Sequence, residues 1–297
     1  MQWRRHVAGF AFCFVFVVSC FTNKFVLSVL KFTFPTLFQG WQTSVGAVLL
    51  LLCGKLGWVE LSRISRSAAL PWIPASLLFV GNIYAGSRAL SRIDIPFFFT
   101  LQNCSHVVSH VILRVAHGQK TQRLKSISIC LLLLSAINLP LCDPKFDYGG
   151  YLWAVGHLLC VGGYRVFQVH YKPSNLSDLE QQCINYWFSV LLLAAAAHPT
   201  GDLVGALEFP SLQSHTFHCG CCASALLGFL LLLATVKLKS GLSQEHFGIW
   251  NFLSKVTAMS LSPFIFSMDS NAPSLMCVVI SHAGEALLVY SDREPQL

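Results

Sequence analysis

Long apolar runs, interrupted wherever charge, Pro and Gly cluster, divide this chain into ten segments. They cover 7–30, 34–54, 70–90, 95–116, 126–142, 147–168, 181–199, 217–236, 246–267 and 272–290. A helix crossing roughly 30 Å of hydrocarbon needs about 20 mostly apolar residues, and each segment is near that length. The second, ending in Leu49-Leu50-Leu51-Leu52-Cys53-Gly54, and the eighth, with Leu230 to Leu233, are the plainest. Segments one, four and nine differ, because Asn23 with Lys24, Gln102 with Asn103, and Asn251 with Lys255 fall at mid-span. An unbroken apolar run would miss or split them. The links are short, and the longest, Thr200 to Thr216, reads as a loop. The expected fold is an all-α membrane protein of ten transmembrane helices, one polytopic domain over 1–297.

Composition supports this class and removes others. Apolar residues make up 54% of the chain and charged ones 11%, with mean hydropathy +0.60. A soluble domain draws about a quarter of its residues from the charged types, so a soluble globule is excluded. The net charge of +7 bears on orientation before nucleic-acid affinity, for which no motif is present. Fourteen of the twenty Lys and Arg, from Arg4 and Arg5 through Lys55, Lys120 and Lys172 to Arg293, lie at or near one set of links. Lys31, Arg88, Arg92 and Lys145 lie at the other, and Lys24 and Lys255 lie within spans. Cytoplasmic loops carry the basic excess, so both termini are expected in the cytosol. The start, with Val7 to Val18 after two arginines, reads as an uncleaved first span, since no A-x-A-like site follows.

Asn175-Leu-Ser177 has the form of a glycosylation sequon but falls on the cytosolic side, and Asn103-Cys-Ser105 falls inside the fourth span. Neither is expected to be modified. Most of the twelve cysteines lie within apolar segments, where Cys acts as a small apolar filler. His218-Cys219-Gly-Cys221-Cys222 lacks a second ligand pair at finger-like spacing, and His106 with His110 lacks the Glu of a metalloprotease helix. No metal and no cofactor is expected.

A charged group at bilayer depth costs about 2.5 to 3.5 kcal/mol on insertion scales and usually faces a bundle interior or an aqueous path. Lys255 is the leading candidate, with Asn251 on the same helical face one turn earlier. Lys24 divides between that role and a stem reaching toward headgroups. Gln102 and Asn103 bring amides into the fourth span, Asn185 and Tyr186 an amide and a ring into the seventh, and Asn82 and Tyr84 the same into the third. Glu285 is expected to pair with a cation from another span and to sit in water near the cytosolic end of the tenth helix, with a part in coupling as the alternative. Ten spans divide as five and five, 1–146 and 147–297, each with mid-helix amides on its fourth span. An odd number of spans per half inverts the second half, as in transporters with a midplane site.

At Thr22-Asn23-Lys24-Phe25, at Gly81 to Leu90, and through Ile95-Pro-Phe-Phe-Phe-Thr100 to Asn103, the chain resembles the nucleotide-sugar transporters of the drug/metabolite transporter superfamily. Within them it is similar to the GDP-mannose-transporter branch, above all to the animal group called transmembrane protein 241. Cys183-Ile184-Asn185-Tyr186 stands at the branch's Phe-Tyr-Asn-Asn motif and keeps its first Asn. Asn251 to Lys255 stands at Gly-Ala-Leu-Asn-Lys and keeps Leu253 and Lys255; Gln102 replaces the usual Lys of the fourth span.

The resemblance implies a Golgi carrier exchanging a cytosolic nucleotide sugar, UDP-N-acetylglucosamine before GDP-mannose, for a lumenal nucleoside monophosphate. Lys255, aided by Lys24, would hold the diphosphate; Asn185 and Tyr186 would read the base; Gln102 and Asn103 would meet ribose or sugar. The expected partners are those two ligands and the lipid bilayer, with homodimerisation left open. A membrane-embedded transferase using His106, His110 or Glu285, and a non-transporting scaffold, are the alternatives.

Overall fold

The computed structural model describes residues 2–118, 122–173, 176–242 and 244–292, and among these the chain is helical with no strand. Lys120, Asn175 and Arg293 lie outside the described residues. The helices are α1 (Gln2–Lys24), continued by a π-helical turn Phe25–Val29, α2 (Pro35–Lys55), α3 (Arg66–Leu90), α4 (Ile95–Asn103), α5 (Ser105–His117) and α6 (Arg123–Cys142). They continue with α7 (Tyr148–His170), α8 (Asp178–Ala197), α9 (Asp202–Leu207), α10 (His215–Gly241), α11 (Gln244–Ile265) and α12 (Ala272–Ser291).

Local chemistry sets many of the boundaries. Pro35 opens α2, where a missing N–H costs nothing. The Ser65 hydroxyl accepts from Ala68 N–H at the start of α3, and the Asp147 carboxylate from Gly150 N–H at the start of α7. Reciprocal capping boxes start α8 at Ser177 and Glu180, and α12 at Asn271 and Ser274. Glu180 also accepts from the Ser62 hydroxyl, tying the α2–α3 link to α8.

Two expectations change. The fourth segment is two helices, because the Cys104 amide bonds Leu101 O three residues back, and the chain starts a new helix at Ser105. The stretch Thr200 to Thr216 holds the short helix α9, begun at Gly201 with φ +77°. Asp202 pins it by accepting from both the backbone N–H and the hydroxyl of Thr36.

Among the described residues, six helices are long and apolar enough to cross a membrane: α1 with its π turn, α2, α3, α6, α10 and α12. The other long rods, α4–α5, α7, α8 and α11, carry buried Asn103, His157, Asn185 and Lys255. The break leaves α4 and α5 with 9 and 13 residues, too short to cross singly, and polar side chains lower the hydropathy of α7, α8 and α11.

The main helix pairs are α3 with α7, α6 with α12, α1 with α10 and α11, α2 with α8 and α10, α3 with α8, and α7 with α4 and α5. The end bearing the α1–α2, α3–α4 and α11–α12 links is sealed by one continuous apolar cluster, including Val26, Phe32, Phe38, Ile93, Phe97, Phe217 and Cys277. Arg88, Arg92 and Lys145 at this end pair with Asp202, Asp147 and Asp269 at 3.5, 3.4 and 2.5 Å. Toward the opposite end the core separates into three smaller clusters, around Leu50 and Tyr186, around Trp72, and around Val107 and Leu158.

Close packing at the helix break rests on Gly162 of α7, since a Cβ there would lie 2.8 Å from the Ser105 carbonyl oxygen and 2.7 Å from Val108 Cβ. Gly162→Ala is expected to destabilise the protein by about 1–3 kcal/mol through overpacking. Gly228→Ala, where nothing lies within 4 Å, should leave the melting temperature in detergent unchanged or raised.

Candidate functional site

The break at Cys104 gathers polar side chains from four rods into the interior. Lys255, near the middle of α11, donates to Glu285 Oε1 of α12 at 2.6 Å and to Asn103 Oδ1 at 2.9 Å. The Lys255 and Glu285 side chains are 7% and 2% exposed. Burying an ion costs several kcal/mol, which the opposite charge and the Asn103 carbonyl offset together.

The donor pattern fixes the surrounding protons. An ammonium only donates, so the Asn103 oxygen faces Lys255 and its amide nitrogen faces Ser281 Oγ at 3.2 Å and His282 Nε2 at 3.4 Å. His282 Nδ1 is 2.7 Å from the Val278 carbonyl, which only accepts, so Nδ1 carries the hydrogen and Nε2 of the neutral ring is an acceptor. Glu285 Oε2 lies 4.0 Å from that nitrogen, buried and without a hydrogen-bond partner among the described residues. Two acceptors face each other there with no proton between them.

Gln102 reaches the other way, its Nε2 3.0 Å from His157 Nε2 on α7, while His157 Nδ1 bonds the Asn82 carbonyl at 2.9 Å. Two residues past the break, His106 Nδ1 lies 2.7 Å from the Arg165 guanidinium of α7. Tyr84 stacks edge-on against Trp153 and accepts from Arg88 at 3.3 Å. Asn251 is half-buried one turn before Lys255.

The remaining residues singled out in the sequence stand apart from this group. Lys24 is buried at the sealed end, where its ammonium donates to Leu90 O at 2.8 Å and Ile93 O at 2.7 Å. A cation on these carbonyls complements the C-terminal end of the α3 dipole. Burial holds the neighbouring Asp94 carboxyl above its ordinary range, against the pull of Lys24. Asn185 is fully buried and fully engaged: its oxygen accepts from Trp72 and Ser76 at 3.1 and 2.9 Å, and its nitrogen donates to Tyr164 at 2.8 Å. Tyr186 turns toward α2, where a Cβ on Gly46 would lie 2.8 Å from its ring.

Glu285 pairs with a cation from another helix as expected, but it does not sit in water: its side chain is buried, because the packing of α12 against α6, α4 and α11 encloses it. His157, Ser281 and His282 escaped the sequence reading, and Arg165, counted there only among the basic residues at or near one set of links, lies within α7 against His106. The available signal was that Ser281 and His282 precede Glu285 by four and three residues, the spacings at which helical side chains are neighbours.

The chain is 55% identical to the UDP-N-acetylglucosamine transporter TMEM241 homolog of Xenopus laevis over 99% of both chains. The chain belongs to the TMEM241 family of nucleotide-sugar transporters. It is 49% identical to the mouse UDP-N-acetylglucosamine transporter TMEM241, again over 99% of each chain. Against the GDP-mannose transporter GONST1 of Arabidopsis thaliana it is 18% identical over 90% of this chain and 83% of that one. No family model matches. One solved crystal structure covers 98% of this chain and 99% of its own with TM-score 0.56 and 14% identity, which speaks to fold alone. Members of this family are named as transporters, not enzymes.

Removing one partner of a buried ion pair costs about 3–5 kcal/mol. Lys255→Met should therefore lower the melting temperature sharply, and the Lys255→Met/Glu285→Gln double variant should recover most of it. Equal stability of the single and double variants would show that the two groups do not couple.

Proposed function

We propose that this protein exchanges a cytosolic nucleotide sugar, UDP-N-acetylglucosamine in first place and GDP-mannose second, for a lumenal nucleoside monophosphate across the Golgi membrane. The observation that carries the proposal is the Lys255 ammonium, buried on α11 against the break of α4–α5. Lysine is a compact charge suited to phosphate, and here it is turned inward, beside the amides that would meet ribose or sugar. The printed names of the Xenopus and mouse relatives support UDP-N-acetylglucosamine, and the more distant GDP-mannose transporters support the second choice. A base and phosphate grip shared by both ligands makes exchange possible without an ion gradient.

In this reading ten rods span the membrane as two inverted halves, 1–146 and 147–297, with both termini cytosolic. The packing supports it. Exchanging α1 with α7, α2 with α8, α3 with α10, α4–α5 with α11 and α6 with α12 turns the α3–α7 pair into α10–α1, and α2–α10 into α8–α3. Polar side chains follow the same exchange. Asn23 Oδ1 accepts from Gln42 at 3.0 Å and Ser224 at 2.6 Å, joining α1, α2 and α10. Asn185 with Tyr164 and Ser76 joins α8, α7 and α3. Gln42 and Asn185 are each the eighth residue of their helix, counting from Pro35 and Asp178. The basic bias places the sealed end at the lumen, so this arrangement reads as closed toward the lumen.

Lys255 holds the diphosphate, while Gln102, Asn103, Asn251, Asn82 and Tyr84 border the path. Lys24 acts at the lumenal seal. Asn185 and Tyr186 read the base only when the Tyr164–Trp72–Ser76 staple opens.

In proteoliposomes loaded with UMP, the stable Lys255→Met/Glu285→Gln variant should lose at least tenfold in UDP-N-acetylglucosamine uptake. Uptake equal to that of the parent would refute the role of Lys255. Asn185→Ala should shift the ratio of UDP-sugar to GDP-sugar uptake if it reads the base, whereas an unchanged ratio with a lowered melting temperature would leave it a helix staple.

A further inference from the structure

The charge at the centre of the proposed site is already neutralised, which raises the question of what happens when a diphosphate arrives. Glu285 holds Lys255 at 2.6 Å, and a phosphate bonded to the same ammonium would bring a second anion beside the carboxylate. Like charges sharing a low-dielectric site do not both persist, and one of them takes a proton. The structure shows where. Glu285 Oε2 is buried without a hydrogen-bond partner among the described residues and faces the unprotonated Nε2 of His282 at 4.0 Å. A hydrogen on Oε2 removes the repulsion between that oxygen and the ring nitrogen, whose other neighbour is the Asn103 amide at 3.4 Å.

Resting on the carrier reading above, we propose that Glu285 is the resident counter-ion of Lys255 in the empty transporter, is displaced by the substrate diphosphate, and then binds one proton. The carboxylate takes that proton from the buffer acid in bulk solvent, relayed through water entering with the substrate, leaving the conjugate base of the buffer in solution, and the Lys255–carboxylate pair is replaced by a Lys255–phosphate pair. Overall, one nucleotide sugar and one proton bind together.

Other groups face Glu285 from the elements around it. Lys255 comes from α11, and His282 from α12 itself. Arg165 on α7 lies within electrostatic reach but is held by His106 of α5. Lys125 of α6 pairs with Asp292 at the end of α12, 3.3 Å away. Of these, Lys255 and His282 stand within 4.0 Å of the carboxylate.

The test is calorimetric binding of UDP-N-acetylglucosamine to the purified full-length protein in buffers of different ionisation enthalpy. Its diphosphate is esterified at both ends, so it lacks the phosphomonoester step near pH 6 that would confuse the count. The parent protein should take up about one proton per sugar bound, with Kd weakening by up to tenfold per pH unit as pH rises. Glu285→Gln should bind with no proton uptake and a flat pH profile. Should that variant fail to fold, His282→Gln serves, since it removes the neighbouring titratable group yet should keep the uptake. Binding by the parent without proton uptake, or uptake that survives Glu285→Gln or vanishes in His282→Gln, would overturn the inference while leaving the carrier intact. Failure of both UDP-N-acetylglucosamine and GDP-mannose to bind would strike the carrier reading itself, and this inference with it.

Discussion

A single ammonium buried in the interior governs this structure. Lys255 is buried among the helices, and those around it are arranged to make that tolerable. α12 supplies a carboxylate, α4 supplies an amide oxygen at the point where its helix stops, and Ser281 and His282 orient that amide from behind. Replacing such a buried pair by well-packed apolar residues is often neutral or stabilising in other proteins, so stability alone is a weak reason to keep it. A charge kept at this cost, in a chain whose relatives carry anionic nucleotide sugars, fits a group held ready for phosphate.

The break at Cys104 lets the fourth rod contribute to that centre in several directions. Gln102 turns to α7, Asn103 to α11 and α12, and His106 to α7 again. Gly162 brings α7 against the break itself, and the Cys104 thiol meets the Leu132 carbonyl of α6 at 3.2 Å. One end of the molecule is sealed by a continuous apolar cluster and by Lys24 on the carbonyls ending α3. The division of the core into smaller clusters toward the other end is what a carrier closed on one side requires. In the proposed two-half reading, the polar staples of Asn23 with Gln42 and of Asn185 with Tyr164 would let each half rock as a unit.

Much of the fold was legible in the chain because bilayer-scale helices advertise themselves through composition, and the ten apolar stretches each fall on a helix or on the broken pair α4–α5. The break was not legible, since Cys104 is no helix breaker; packing against Gly162 and Leu132 accompanies it, and both lie far off in sequence. Site residues divided along a similar line. Lys255, Asn103 and Gln102 could be picked out as polar groups in apolar runs, and Glu285 as a carboxylate in need of a cation. Which cation it meets depends on how α11 and α12 pack. Lys24 and Asn185 were equally conspicuous, yet their polarity is taken up by backbone carbonyls and by a helix staple, partners that only the fold reveals. His157 and His282 went unnoticed because a histidine on an apolar face reads as ordinary core.

The most direct measurement is a structure of the protein with UDP-N-acetylglucosamine bound. The account predicts a phosphate oxygen at roughly 2.7–2.9 Å from Lys255 Nζ, the length of a charge-assisted hydrogen bond, with Glu285 released from the ammonium. A nucleotide sugar seated elsewhere in the bundle, with the Lys255–Glu285 pair undisturbed, would contradict it.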